Sequence, residues 1–184
     1  MRQRKYSRSR ALRRMLLVIC EGLSEAVYVE YLKTYFRLPI AVKVKVPGNK
    51  INLRLVKQYV KDISVGPDDV IDVVYMYDAD VDDVVERLSA LPGIKILSNP
   101  CFELWLLLHH VELKKETSSE SIIKTLSGCN DVWKDYKKGK LSLKQQEFLS
   151  RSMDRAIDNA KKLYWPKNPS TNIYEFIEVL KRNQ

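Results

Sequence analysis

The chain has 184 residues, 45% of them hydrophobic, so it is long enough to form one domain with a buried core. No apolar run approaches the ~20 residues of a membrane span, and the basic start lacks the apolar segment of a secretory signal. The three cysteines are widely spaced without a CxxC pair, which fits a reducing cytoplasm and argues against structural zinc. We therefore expect a cytoplasmic protein without a membrane partner.

The formal net charge of +9 is concentrated at the start of the chain, because residues 1–14 contribute +7 and the remainder only +2. A milder basic stretch at 134–144 lies next to Trp133 and includes Tyr136. Both segments could bind the phosphates of nucleic acid, or could be solvated surface. The candidate nucleic-acid-binding residues are Arg2, Arg4, Lys5, Arg8, Arg10, Arg13, Arg14, Lys137 and Lys138.

Up to residue 111, strand patterns alternate with helix patterns. Strands are predicted at 15–20, 41–46, 71–77 and 94–97, and helices at 25–36, 51–63, 81–90 and 101–111. This order predicts an α/β fold with a mostly parallel sheet of about four strands flanked by helices. The strand at 41–46 alternates apolar and basic residues, so we expect it at an edge of the sheet.

Beyond residue 112 the strand-like runs disappear, and amphipathic helices are predicted at about 119–127, 144–163 and 172–182. We expect a C-terminal helical extension that packs on the sheet. The segment 168–171 is interpreted as a turn that caps the last helix. The sequence contains no GxGxxG and no GxxxxGK[ST], so dinucleotide and P-loop sites lose their main support.

The main chemical signal lies where the predicted strand at 71–77 leads into Asp78 and Asp80. Side chains two residues apart in a strand point to one side, and neighbouring carboxylates repel each other unless a proton or cation lies between them. Ligands bind at the carboxyl ends of parallel strands, so the pair indicates a Mg²⁺ site. Alternatively, Asp80 is a helix N-cap, and Asp82 and Asp83 form the acidic first turn of that helix.

The first predicted strand also ends in an acid, Glu21, followed by Gly22. A Glu-Gly pair or an Asp-x-Asp motif is a weak signal by itself. Together, at the ends of the first and third predicted strands, they resemble the Toprim domain of primases, topoisomerases and OLD-type nucleases. That domain has a glutamate after its first strand and an Asp-x-Asp after its third.

A further run narrows the resemblance: residues 98–105 read SNPCFELW. With residues 20–22 and 168–171, this run is similar to the RloB-like family, small Toprim-containing proteins of bacterial and archaeal restriction and phage-defence loci. The resemblance covers about residues 16–180. It departs at 23–24, where Leu-Ser replaces the more charged residues of many family members, although Glu25 keeps a second acid.

The charge distribution and the element order divide the chain into a basic arm at 1–14, an α/β core at 15–111 and a helical extension at 112–184, and the resemblance implies that the core is Toprim-like. It also implies Mg²⁺-dependent cleavage of a phosphodiester bond in DNA or RNA, with Mn²⁺ as an alternative ion and tRNA as one candidate substrate. A partner ATPase from the same locus is implied too, whereas the oligomeric state stays open.

In this interpretation Asp78 and Asp80 hold the ion, and Glu21 completes the site or transfers a proton. Further active-site candidates are Glu25, Asp82 and Glu103. Glu103 lies in the first turn of its predicted helix, so it either caps that helix or joins the acidic cluster. His109 falls on another face of the same helix, and we expect it to be buried and hydrogen-bonded.

Two other functions fit the same residues. A phosphatase of the haloacid-dehalogenase kind would use Asp78 as its nucleophile, but that fold has the motif on its first strand, whereas two predicted strands precede it here. A non-catalytic module would bind a nucleotide or a metal ion at the acidic site and act through a partner ATPase.

Overall fold

The computed structural model describes residues 14–64, 66 and 69–183. Its sheet has the strand order β2-β1-β3-β4-β5. The strands are β1 (Arg14–Cys20), β2 (Ala41–Lys45), β3 (Val70–Asp78), β4 (Ile94–Asn99) and β5 (Ser170–Thr171). Strands β1 to β4 pair in parallel, and β5 is antiparallel to β4. The predicted α/β fold is thereby confirmed, with β2 at an edge as expected.

Helices cover both faces of this sheet. They are α1 (Leu23–Phe36), α2 (Leu53–Ile63), α3 (Asp82–Ser89), α4 (Glu103–Leu108), α5 (Ser119–Cys129), α6 (Leu143–Lys161) and α7 (Ile173–Lys181). Helices α2 and α3 pack on one face, and α1 with α4 to α7 pack on the other. No helix within the described residues is long and apolar enough to cross a membrane.

The sequence of β1 is apolar at consecutive positions because helices pack on both faces of the sheet. Leu16 and Val18 point into the core shared with α1 and α4, whereas Leu17 and Ile19 point into the core under α2 and α3. Successive side chains in a strand face opposite sides, so a strand covered on both faces needs apolar residues at every position. The apolar composition of β1 is therefore that of an interior strand covered on both faces.

The prediction that strands end before residue 112 is wrong, because β5 extends the sheet from within the helical extension. Its Thr171 hydroxyl lies 2.8 Å from that of Ser98 in β4. The side chain of Asn172 then continues the pairing, accepting from the N–H of Leu97 at 2.7 Å and donating to the carbonyl of Lys95 at 2.9 Å. A two-residue strand is too short to produce a periodic signal.

The predicted basic arm falls almost entirely outside the described residues; only Arg14 lies within them. Arg14 begins β1, and its guanidinium donates to the Asp72 carboxylate at 2.8 Å. The nucleic-acid role of the arm therefore stays a prediction. The three cysteines are all free.

Candidate active site

The ends of β1 and β3 are brought together by strand pairing. These strands are parallel neighbours, with Cys20 opposite Met76. Immediately beyond this pair, the N–H of Glu21 donates to the carbonyl of Met76 at 3.0 Å. The Glu21 carboxylate in turn accepts from the N–H of Asp78 at 2.9 Å through Oε2. Two acids that are far apart in sequence therefore meet at the carboxyl edge of the sheet, where ligands bind in α/β folds.

Asp78 is half-buried and points towards the start of α4. Its Oδ1 accepts from the N–H of Phe102 at 2.7 Å. Burial raises the pKa of Asp78 to about 9, and the negative charges of Glu25, Glu21 and Glu103 act in the same direction. Among the described residues, none donates a hydrogen bond to Oδ2, so this oxygen can bind a ligand.

Glu25 approaches the same place from the first turn of α1. Its Oε2 accepts from the N–H of Gly22 at 3.2 Å, an arrangement that satisfies one free backbone donor at the helix start. A Cβ at position 22 would lie only 3.1 Å from this oxygen, so Gly22 leaves the space that the carboxylate needs. Burial raises the pKa of Glu25 to about 7, and the charges of Glu103 and Glu21 add to that effect.

Glu103, the first residue of α4, is 1% exposed, and its partners come from other parts of the chain. Its Oε1 accepts from the hydroxyl of Tyr136 at 2.9 Å and from that of Ser24 at 3.4 Å. Its Oε2 lies 3.5 Å from Nζ of Lys138. A buried carboxylate needs such partners, because an unpaired charge in the interior is costly. Glu103 is therefore held chiefly by the helical extension.

These acids open into one cavity of about 360 Å³. Its lining residues are Glu21, Gly22, Leu23, Ser24, Glu25, Asp78, Glu103, Lys138 and Gly139. The α/β core supplies the four carboxylates, and the extension supplies Lys138 and Gly139. The extension is thus part of the site, which the division into a core and a packed extension did not anticipate.

Other predicted site residues lie outside this cavity. Asp80 is exposed beyond β3, although it is near enough for its charge to add to the effect of burial in raising the pKa of Glu21. Asp82 is exposed in the first turn of α3, whose N-cap is Val81, so the alternative that Asp80 caps this helix is wrong. Lys137 lines a separate depression on the surface of the extension.

Sequence reasoning missed three contributors to the site: Ser24, Tyr136 and Gly139. The Ser24 hydroxyl accepts from the N–H of Gly139 at 3.1 Å and donates to Glu103. Tyr136 could be found only as part of a basic and aromatic stretch, and no spacing connects it with Glu103. His109, in contrast, is as expected: it is fully buried, and its Nδ1 lies 2.9 Å from the Trp105 carbonyl.

No three His, Cys, Asp or Glu side chains of the described residues form a ready-made group that could hold a metal ion.

The chain was compared with protein-family models, with curated proteins and with solved structures. The family model for RloB-like protein matches residues 16–180, which include all four carboxylates of the cavity and the residues that hold Glu103. No curated protein and no solved structure matches the chain. Because the family match extends over most of its length, the chain belongs to the RloB-like protein family.

Proposed function

We propose that this chain is a Mg²⁺-dependent nuclease of the Toprim type, which hydrolyses phosphodiester bonds in DNA or RNA as part of a prokaryotic anti-phage defence. The observation that carries the proposal is the contact between Glu21 and Asp78. It joins a glutamate directly after β1 to an aspartate at the end of β3, which matches the arrangement that the sequence resemblance implies for a Toprim site.

The donor set fits Mg²⁺ or Mn²⁺. Mg²⁺ keeps several waters and usually takes one or two protein carboxylates together with substrate phosphates, so a complete protein cage is not needed. Glu21 and Asp78 would hold the ion, and the exposed Asp80 would join them directly or through water. Burial, with the charges of the neighbouring acids, raises the pKa of Asp78 and of Glu25, and a cation in the cavity would offset both effects and let these groups ionise.

When bound, the ion would offset negative charge on the reacting phosphate and on the leaving oxygen. The chain's own residues would then have separate tasks. The backbone N–H groups of Asp78 and Phe102 orient the carboxylates of Glu21 and Asp78. Burial raises the pKa of Glu25 to about 7 in the ion-free cavity, so this carboxyl group can change its protonation near neutral pH and would be the group that takes a proton from water.

A second candidate function is that of a non-catalytic module, which would bind a nucleotide or an ion in the same acidic cavity and signal to a partner ATPase. The phosphatase alternative has less support, because two strands, β1 and β2, precede the strand that carries Asp78, whereas that fold has the motif on its first strand.

The test compares the wild type with Asp78→Asn, Glu21→Gln and, as a matched control, Asp82→Asn. Labelled DNA, RNA and tRNA are incubated with each protein and Mg²⁺ or Mn²⁺. We expect the wild type and Asp82→Asn to cleave at least one substrate, and the two cavity variants to lose about 100-fold in rate.

Undiminished cleavage by Asp78→Asn would contradict the nuclease proposal. Ion binding without cleavage would favour the module, and a phosphoryl group trapped on Asp78 would favour the phosphatase.

A further inference from the structure

Lys138 is the one basic residue of the described chain that lines the acidic cavity. We propose that its ammonium group binds a phosphate oxygen of a nucleic-acid chain at the mouth of this cavity. The inference rests on the proposed function, because it assumes that a nucleic-acid phosphate is brought to these carboxylates. It assigns the substrate-holding role to the helical extension and the ion-holding role to the α/β core.

The charge of the cavity favours such a group. Four carboxyl groups line it, and a phosphodiester is itself negatively charged, so every carboxyl group that is ionised opposes the approach of substrate by like-charge repulsion. A divalent ion would remove part of this repulsion. A positively charged side chain that faces the same space removes more of it, and Lys138 is placed to do so.

The geometry leaves Lys138 free to bind a second anion. Its Nζ lies 3.5 Å from Oε2 of Glu103, and its side chain is 60% exposed whereas that of Glu103 is 1% exposed. A lysine ammonium has three N–H donors, so one contact with Glu103 leaves two donors. Because Glu103 lies below it in the interior, these donors are on the solvent side, where a phosphate would arrive.

The segment that carries Lys138 is held in place by contacts of the residues on both sides of it. Two residues before it, Tyr136 donates to Glu103 at 2.9 Å. One residue after it, the N–H of Gly139 donates to the Ser24 hydroxyl at 3.1 Å. Gly139 has φ +74° and lies so close to Leu23 that an added Cβ would be 2.9 Å from the Cβ of that residue. Glu103 and Tyr136 are therefore positioning residues for Lys138.

The experiment measures binding and cleavage on the same proteins. Binding is followed by fluorescence anisotropy of labelled 20-nucleotide single strands of DNA and of RNA, with Ca²⁺ in place of Mg²⁺. The variants are Lys138→Ala, Lys138→Arg and the control Lys134→Ala, which removes the same charge from an exposed position in the same segment, outside the cavity. Circular dichroism verifies that each variant is folded.

We expect Lys138→Ala to bind the better of the two strands about tenfold more weakly than the wild type, the effect of losing one charge-assisted hydrogen bond. Lys138→Arg keeps the charge and should stay within about threefold, and Lys134→Ala should do the same. Equal affinities of Lys138→Ala and Lys134→Ala would overturn the inference. So would a wild type that binds neither strand.

Cleavage in Mg²⁺ separates this inference from the proposed function. If the wild type binds but never cleaves, while Lys138→Ala shows its specific loss of affinity, the nuclease activity is refuted and the role of Lys138 stands. If the wild type cleaves and Lys138→Ala matches it in both affinity and kcat/KM, the nuclease activity stands and the proposed role of Lys138 is refuted.

Discussion

The indole N–H of Trp105 donates a hydrogen bond to the hydroxyl of Tyr28 at 2.7 Å, and both side chains are fully buried. This bond joins α1 to α4. Tyr28 lies one helical turn after Glu25, and Trp105 lies two residues after Glu103. The two helices that present these acids to the cavity are therefore held at a fixed separation by a polar contact in the core.

The first prediction follows from that bond. Tyr28→Phe removes the acceptor and leaves a buried indole donor without a partner, which costs about 1–3 kcal/mol. Urea denaturation should show a lower free energy of unfolding by this amount. Tyr35→Phe is the control, because Tyr35 is 45% exposed and should change the stability little. Equal stabilities of the two variants would contradict the prediction.

The second prediction concerns the pH dependence of stability. The folded-state pKa of Asp78 is raised from 3.8 to about 9, so between these values the folded protein binds a proton that the unfolded chain has lost. The contribution of Asp78 therefore destabilises the fold increasingly as the pH rises from about 4 towards 9.

Asp78→Asn removes this penalty while it keeps the acceptor for Phe102, so it should stabilise the protein more at pH 8 than at pH 5, by up to about 4 kcal/mol. Thermal unfolding at both pH values checks this, with Asp82→Asn as the control. A stabilisation that is the same at both pH values would speak against a raised pKa.

The third prediction concerns the binding of Mn²⁺ to the cavity. Because the carboxyl of Asp78 must lose its proton before it can ligate a cation, affinity should increase as the pH rises from about 6 to 9, with release of a proton. Calorimetry in buffers of different ionisation enthalpy measures both quantities. Asp78→Asn should bind weakly at every pH, and a wild-type affinity independent of pH would disprove the linkage.

The fourth prediction concerns Gly139. Because of its positive φ and its close approach to Leu23, Gly139→Ala should destabilise the protein by about 1–2 kcal/mol and displace the neighbouring Lys138. Gly128→Ala is the matched control. Gly128 lies in helix α5, and a Cβ added to it would meet no atom within 4 Å. This substitution should be neutral or slightly stabilising. Thermal unfolding and the anisotropy assay would show whether the two changes differ.

The α/β core could be predicted from sequence because its signals are local. The runs of β1 and β3 are apolar at consecutive positions, and parallel pairing is enough to place Glu21 beside Asp78. The surroundings of Glu103 could not be predicted in this way. Its partners Ser24 and Tyr136 lie 79 and 33 residues away, and the approach of Tyr136 depends on how the extension folds. Such contacts leave no periodic pattern.

The position of Asp80 shows a second limit. Alternation along a strand predicts that it shares a side with Asp78, but β3 ends at Asp78 and the chain turns towards α3 directly afterwards. The period of two applies only while the backbone stays extended. Asp80 therefore lies at the surface, and its part in binding an ion stays a prediction.

The side chain of Asn159 in α6 donates to the carbonyl of Leu108 at 2.8 Å. This bond gives a partner to a carbonyl group at the C-terminal end of α4. A protein cut after residue 111 would lose this amide together with Tyr136 and Lys138. It would still contain every acid of the cavity, yet Glu103 would lose its counterion and its phenol partner, and the apolar side chains of α4 that pack on α5 and α6 would face water. Trimming the chain to its sheet would therefore dismantle the acidic cavity instead of isolating it.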